Sequence, residues 1–338
     1  TALLLQKKGC KVIGVTMSLW DGRVPENLGD KVLKPSCYSP IEVTNIEECA
    51  KFYKENNIEY HVVDVKKEYN DCVLEYFKAE YRSGRTPNPC IQCNRFVKFG
   101  ALLEGIKKLN IEYDYFCTGH YAKIVRPAEG LWGTDVRPCM ISSAIDQSKD
   151  QTYFLYKIPS EILEKVRFPL ASMSKKEVFE LAHQFKLEAA NREESQDFIP
   201  EEYFDMIFSD KPSIPGDIEH YTVGQRRGLG VSANKPLYVH SIDAKNNLVV
   251  LAENEDLKSD GLIADDFVWP GNVEPKEPVK AMVKIRLASK PVPAVIEKYV
   301  PNEDEKFNGL AYKITFEEPQ RAVAPGQSVV LYIDGTIF

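Results

Sequence analysis

The first 120 residues alternate between strand-like and helix-like patterns, and this constrains the fold more than any other feature. Lys11–Met17 is a short apolar run after Gly9 and reads as a strand. Thr44-Asn-Ile-Glu47 has the form of a capping box, in which the Thr side chain and the Glu satisfy free amides at a helix start. Glu59–Val65 is a second strand, Lys66–Arg82 and Phe96–Lys108 are helices, and Tyr113–Thr118 is a third strand. Strands alternating with helices predict an α/β domain with a parallel sheet covered on both faces. Such sheets bind ligands at the carboxyl ends of their strands. Chemistry is therefore expected in the turns after Val15, Val65 and Thr118.

Beyond Asp150 the pattern is helical as far as Lys186, with a capping box at Ser174-Lys-Lys-Glu177 and an apolar face of Val178, Leu181, Ala182 and Phe185. After Glu202 the chain changes character. Leu237–Ile242 and Leu248–Ala252 flank Asp243-Ala-Lys-Asn-Asn247 as a hairpin. Ala281–Leu287, Ala294–Val300, Leu310–Phe316 and Ser328–Ile333 are further strands, which predict two small β-barrels. The expected division is 1–201, an α/β nucleotide-binding domain with a helical extension; 202–264, a central β domain; and 265–338, a C-terminal barrel.

The 338 residues suffice for two or three cores, and 43% hydrophobic with 28% charged residues is an ordinary globular mix. No run of about 18 apolar residues appears, so no membrane span or membrane partner is expected. The opening, Thr1-Ala-Leu-Leu-Leu-Gln-Lys-Lys-Gly9, lacks the features of a signal peptide and reads like the middle of a helix, so further residues upstream are expected. The net charge of −7 excludes a uniformly basic coat but not a local phosphate-binding surface. Eight cysteines in a chain without an export signal are expected to be reduced thiols, metal or cluster ligands, or catalytic groups, which points to the cytoplasm.

The most informative segment is Arg85-Thr-Pro-Asn-Pro-Cys90-Ile-Gln-Cys93-Asn-Arg-Phe-Val-Lys-Phe-Gly100. Two prolines hold the backbone extended before a helix, and two thiols three residues apart can point into one site. By spacing alone, C-x-x-C leaves structural metal, redox or cluster chemistry, and unconnected thiols all open. Gly224-Gln-Arg-Arg-Gly228 is a candidate phosphate clamp or plain solvated surface. His120, after a glycine at a strand end, suits ligand contact, whereas His61, His183 and His240 read as structural or surface residues.

As a whole the 85–100 segment resembles the T-P-N-P-x-x-x-C-N-x-x-(I/V)-K-F signature of the tRNA-specific 2-thiouridylases. Cys117-Thr-Gly-His-Tyr121, Lys149-Asp-Gln-Thr-Tyr-Phe-Leu155, Glu194-Ser-Gln-Asp197, Tyr221-Thr-Val-Gly-Gln-Arg-Arg-Gly-Leu-Gly230 and Ala324-Pro-Gly-Gln-Ser328 follow in family order over essentially the full length. The resemblance implies a PP-loop ATP pyrophosphatase-like (adenine nucleotide alpha hydrolase-like) domain followed by two small barrels. It also implies ATP with Mg2+, tRNA, and a sulfur-donor protein or sulfide as partners. In the implied reaction, ATP adenylates the C2 oxygen of the wobble uridine and a sulfur nucleophile displaces AMP. A flipped-out base is how such enzymes reach a buried atom.

By position Cys93 matches the catalytic cysteine, and Asn88, Pro89 and Cys90 match the stretch that contacts the target base. Cys90 also counts as a catalytic candidate. Met17 and Gly119 match ATP-contacting positions; His120, Lys149, Asp150, Gln151, Arg286, Leu287 and Gln327 match tRNA-contacting ones.

Three departures stand against the family pattern. Its Ser-Gly-Gly-x-Asp-Ser phosphate loop belongs just before Thr1, and Thr1–Lys8 matches the helix that follows it. Its second cysteine, which carries a persulfide, belongs just after Asp197, where Phe198-Ile-Pro200 stands instead. Cys90 stands where many members have Asp. A [4Fe-4S] cluster on Cys90, Cys93 and Cys37 is therefore an alternative sulfur source, although Cys37 also reads as an idle thiol. The join at Pro215–His220 is shorter than the family's usual stretch. The rival functions are a paralogous thiolase with another acceptor or sulfur source, and a non-catalytic tRNA-binding protein.

Overall fold

The computed structural model describes residues 1–25, 33–187, 198–208, 217–303 and 305–338. The chain begins with helix α1 (Ala2–Lys7), strand β1 (Ile13–Ser18), helix α2 (Ile41–Glu55) and strand β2 (Glu59–Asp64). Strands β1 and β2 pair in parallel, from Ile13 opposite Glu59 to Ser18 opposite Asp64. A helical run over 66–82 (α3) follows, and another over 89–108 (α4). Strand β3 (Phe116–Cys117) then pairs in parallel with β6 (Val166–Arg167). Among the described residues the expected parallel sheet is thus two separate parallel ladders.

Helices cover these strands at close range, and glycines permit it. A Cβ on Gly14 of β1 would sit 2.5 Å from the Tyr53 ring of α2, and one on Gly105 of α4 would sit 2.2 Å from Val63 Cγ1 of β2. Val63, Val65, Tyr69, Leu74, Val97 and Ile106 form the core between them.

Between β3 and β6 the chain makes a hairpin of β4 (Ala122–Val125) and β5 (Met140–Ser143). Helix α5 (Lys175–Gln184) follows β6, and β7 (Tyr238–Asp243) and β8 (Leu248–Ala252) form the expected hairpin. Asp243 accepts backbone bonds from Lys245 and Asn246 across its turn. The remaining strands are β9 (Lys258–Ala264), β10 (Val279–Lys284), β11 (Val292–Lys298), β12 (Tyr312–Arg321), β13 (Val330–Ile333) and β14 (Thr336–Ile337). They join one eight-stranded sheet in the order β4-β5-β14-β13-β10-β11-β12-β9. Along β10 burial alternates residue by residue, so Val279, Ala281 and Val283 face the core shared with Ile296, Ile314 and Leu331. Pairing with β12 places β9 in this sheet, which therefore begins before residue 265 and also recruits the β4–β5 hairpin from the first 200 residues.

Several local expectations shift. Helix α2 starts at Ile41 with Pro40 at its N-cap position, so Thr44 lies inside the helix and is not its cap. Proline's fixed φ opens the helix earlier. Helix α4 starts at Pro89 rather than Phe96, which brings Cys90 and Cys93 inside it. Over 150–186 only α5 is a sustained helix, and its capping box forms as expected: Ser174 Oγ accepts from Glu177 N while Glu177 accepts from Ser174 N. The Glu194–Asp197 match and residues 215–216 of the 215–220 join lie outside the described residues.

The contact between Gly105 and Val63 lies in the core and gives a direct test of this packing. Gly105→Ala is expected to destabilise the protein by about 1–3 kcal/mol in denaturant unfolding, because a methyl group cannot enter without moving α4 off β2.

Candidate active site

Three thiols from two distant segments converge beside the carboxyl edge of the parallel strands. Asn88 ends the extended segment in a non-helical conformation, and Pro89 is the first helical residue, where its missing N–H costs nothing. Cys90 and Cys93 then share one face of α4. From Cys93 to Ala101 the helix has the i→i+5 winding of a π-helix, a form found often at functional sites. That winding returns Lys98 toward Cys93. The third thiol, Cys37, lies in the loop before α2.

Electrostatics ties these groups together. The Cys90 thiol is pushed up to about 12, chiefly by burial, with Cys37 and Cys93 adding and Lys98 opposing. Burial pushes Cys93 up to about 11, with Lys98 opposing and Cys37 adding. Cys37 is raised by burial as well, again with Lys98 opposing and Glu42 adding. The fully buried Tyr69 of α3 feels all three thiols and is held well above the usual tyrosine range, chiefly by burial. Lys98 is thus the shared cation of the group, and in the resting protein both helix thiols are protonated at neutral pH.

Glu42 fixes the site to the end of β1. Its carboxylate, 8% exposed, accepts from Leu19 N at 3.1 and 3.0 Å, Trp20 N at 3.0 Å and Ser18 Oγ at 3.0 Å. Phe198, the first residue of the Phe198-Ile-Pro200 stretch, lies beside Cys37, because Tyr38 N donates to Phe198 O at 2.9 Å. From the end of β3, His120 accepts from or donates to Thr118 Oγ1 through Nδ1 at 2.7 Å. It packs between Phe99 and Phe168, and burial, aided by Lys98, holds it well below the usual histidine range. His120 is therefore neutral. Gly119 adjoins Thr1, and Met17 lies in β1 packed on the main core. Both border carboxyl strand ends, where a nucleotide is expected.

The residues matched to tRNA contacts fall into two groups. Asn88, Arg286 and Gln327 gather around the buried Tyr153: Asn88 and Arg286 both act on its hydroxyl, while Gln327 Nε2 donates to Thr86 O and Pro87 O at 3.0 and 3.2 Å. Arg286 also donates to Val223 O at 2.8 Å, which ties the barrel to the central hairpin region. Lys149, Asp150 and Gln151 lie nearer β4. Gln151 Oε1 accepts from Tyr121 N at 2.9 Å, next to His120, and Asp150 accepts from Thr152. Leu287 is exposed. Arg226 and Arg227 are exposed in the glycine-flanked loop.

Lys98, Tyr69, Glu42 and Tyr153 were not singled out from the sequence. Only the Lys in the V-K-F of the signature hinted at the first, since an α-helical period does not bring i and i+5 together. A separate cavity of 420 Å³ on the far side of α4, lined in part by Arg95, Phe96, Lys157, Asp266 and Trp269, contains none of Cys37, Cys90 or Cys93. Among the described residues no group of three His, Cys, Asp or Glu side chains is arranged to hold a metal ion. The converging thiols thus do not form a ready cluster cage.

Residues 1–200 match the family model described as tRNA methyl transferase HUP domain, 216–253 the tRNA methyl transferase PRC-barrel domain, and 259–338 the Aminomethyltransferase beta-barrel domain. A protein named tRNA-specific 2-thiouridylase MnmA from Endomicrobium trichonymphae is 38% identical over 354 residues, spanning 99% of this chain and 92% of the relative. Like-named proteins from Carboxydothermus hydrogenoformans and Acetivibrio thermocellus are each 36% identical, spanning 98% and 99% of this chain and 90% and 92% of the relatives. The chain belongs to the tRNA-specific 2-thiouridylase family. As in the family models, its α/β HUP domain precedes a PRC-barrel and a β-barrel domain.

For this 2-thiouridylase family member the raised thiols give a measurable signature. Alkylation of Cys93 by iodoacetamide, followed by tandem mass spectrometry, is expected to climb about tenfold per pH unit through about pH 9, because only the thiolate reacts. Lys98→Met shifts the curve to higher pH, since the opposing cation is gone. A plateau below about pH 8 contradicts the assignment.

Proposed function

We propose that this chain is an ATP-dependent tRNA-uridine 2-sulfurtransferase that makes 2-thiouridine at the wobble position. The observation that carries the reading is the convergence of Cys93, Cys90 and Cys37 on Lys98 beside the carboxyl edge of the strands. The relatives are named for the same activity.

In this reading ATP supplies the leaving group: the uridine C2 oxygen attacks the α-phosphorus and pyrophosphate departs. Met17 and Gly119 border the nucleotide. Asn88, Pro89 and Cys90 receive the extruded base, and the neutral ring of His120 offers a hydrogen bond without adding a second cation beside Lys98. The outer sulfur of a Cys93 persulfide then forms the new bond to C2, and AMP leaves with the former carbonyl oxygen. The S–S bond breaks by attack of a neighbouring thiol, Cys90 or Cys37, on the Cys93 sulfur, and an external thiol reduces the resulting disulfide. Burial disfavours a bare thiolate at Cys93, which suits a site that waits for a more acidic persulfide. Lys98 stabilises the anion once sulfur is loaded. The exposed Arg226 and Arg227 suit phosphate contacts with tRNA, with Lys149, Asp150, Gln151, Arg286, Leu287 and Gln327 along the same partner. A donor protein passes persulfide-level sulfur to Cys93 by thiol exchange; free sulfide, already reduced, instead attacks C2 directly with no persulfide formed. A cytoplasmic setting, where thiols stay reduced, fits eight free cysteines; no helix among the described residues is long and apolar enough to cross a membrane.

A second reading rests on the mutual influence of the three thiols: Cys37, Cys90 and Cys93 draw together around an iron–sulfur cluster that delivers sulfur. They are not arranged as metal ligands as they stand, so no step above passes through it.

Cys93→Ala is expected to abolish thiolation of tRNA with ATP and a sulfur source, while tRNA affinity stays within about twofold. A large loss of tRNA binding instead makes Cys93 structural. Iron and acid-labile sulfide in anaerobically purified protein, both lost in a Cys90→Ala/Cys93→Ala double variant, select the cluster reading; their absence selects the thiol-only one.

A further inference from the structure

The segment before α4 has an unusual backbone problem. Pro87 and Pro89 lack N–H groups, so between residues 86 and 89 only Thr86 and Asn88 can donate. The first turn of α4 has no side-chain cap. Core packing of Ile91 and the Asn94 Nδ2 bond to Phe154 O hold the helix body, but no side-chain cap holds the strut that leads into it, which is held from outside.

The holding group is the 325–328 turn of the C-terminal barrel, some 240 residues further along the chain. Thr86 N donates to Pro325 O at 2.8 Å. Gln327 Nε2 donates to both Thr86 O at 3.0 Å and Pro87 O at 3.2 Å. Gly326 has φ +89°, and a Cβ there would lie 2.9 Å from Arg85 Cβ, Thr86 N and Thr86 O, so the turn lies flush against the strut. On its other side the turn is itself anchored. Tyr153 Oη donates to Ser328 O at 2.9 Å, and Tyr156 Oη pairs with Ser328 Oγ at 3.0 Å.

We infer that the 325–328 turn is a splint that sets the position of the α4 end carrying Cys90 and Cys93, with Gln327 as its positioning residue. The sequence resemblance implies a tRNA contact for Gln327; the geometry gives its amide a different task, within the protein and before tRNA arrives. The thiols lie only a few residues from the carbonyls that Gln327 holds, so a slip of the strut is passed to them directly. Misplacement of a reacting group by about 1 Å lowers rates on the order of a hundredfold. The catalytic consequence rests on the proposed sulfur transfer; the structural consequence does not.

Gln327→Ala removes both side-chain hydrogen bonds and keeps the backbone turn. Gly326→Ala pushes the turn off the strut and keeps the amide. Both are compared with the full-length wild-type protein, with thermal melting to confirm folding. Expected in each is a fall of roughly ten- to a hundredfold in kcat for tRNA thiolation, with KM for tRNA within about threefold. In the free protein, without tRNA, the alkylation rate of Cys93 changes by more than about threefold. Raised KM with unchanged kcat and unchanged Cys93 alkylation overturns the inference and leaves Gln327 a direct tRNA contact; no change in any of them overturns it too. Should Gly326→Ala not fold, Gln327→Ala decides alone. If the wild type itself does not thiolate tRNA, the proposed function fails, while the alkylation comparison still tests the splint.

Discussion

Pro87 and Pro89 strip the 86–89 segment of two of its four backbone donors, and the geometry of the site depends on where its remaining polar groups find partners. Thr86 N and the carbonyls of Thr86 and Pro87 find them in the C-terminal barrel, through Pro325 O and the Gln327 amide, while Asn88 N turns to the Tyr76 hydroxyl. An exposed loop could leave such groups to water, but here a glycine with positive φ lets one backbone lie flush against another. The barrel is thereby part of the α/β site and not an appended module. The eight-stranded sheet makes the same point on a larger scale, because β4 and β5 come from the first 200 residues and pair into it.

The electrostatics of the site follows from burial with one shared cation. Three thiols and a histidine near Lys98 are all kept neutral by desolvation. A cysteine protease or redox enzyme commonly does the opposite and lowers its thiol toward neutral pH. A site of neutral thiols around one ammonium group is suited to receive an anion, whether a sulfur species or the phosphate of an adenylated base. Glu42 contributes charge of the other sign, but its oxygens are committed to the amides of Leu19 and Trp20 and shape the loop after β1.

Much of the local structure is legible in the sequence. Strands β1 and β2, the 66–82 helix, the Ser174 capping box and the Asp243–Asn247 hairpin turn all depend on neighbours within a few residues. Thr44 misled because Ser/Thr-x-x-Glu is also compatible with a helix interior when Pro40 supplies an earlier start. The family motif pointed to Cys93 and to Gln327, yet their relation could not be read from it. That relation is non-local, a contact across 241 residues. Lys98 escaped notice because its place beside Cys93 requires i→i+5 winding, which no amphipathic period announces. The meeting of Cys37 with the helix thiols likewise depends on how the loop before α2 folds against residue 198.

The central chemical claim is that sulfur enters the C2 position of a tRNA uridine at this site. Nucleoside mass spectrometry of bulk tRNA, comparing cells with and without the gene, tests it most directly. Loss of wobble 2-thiouridine in the deletion and its return with the gene is the predicted result. An unchanged 2-thiouridine level contradicts it.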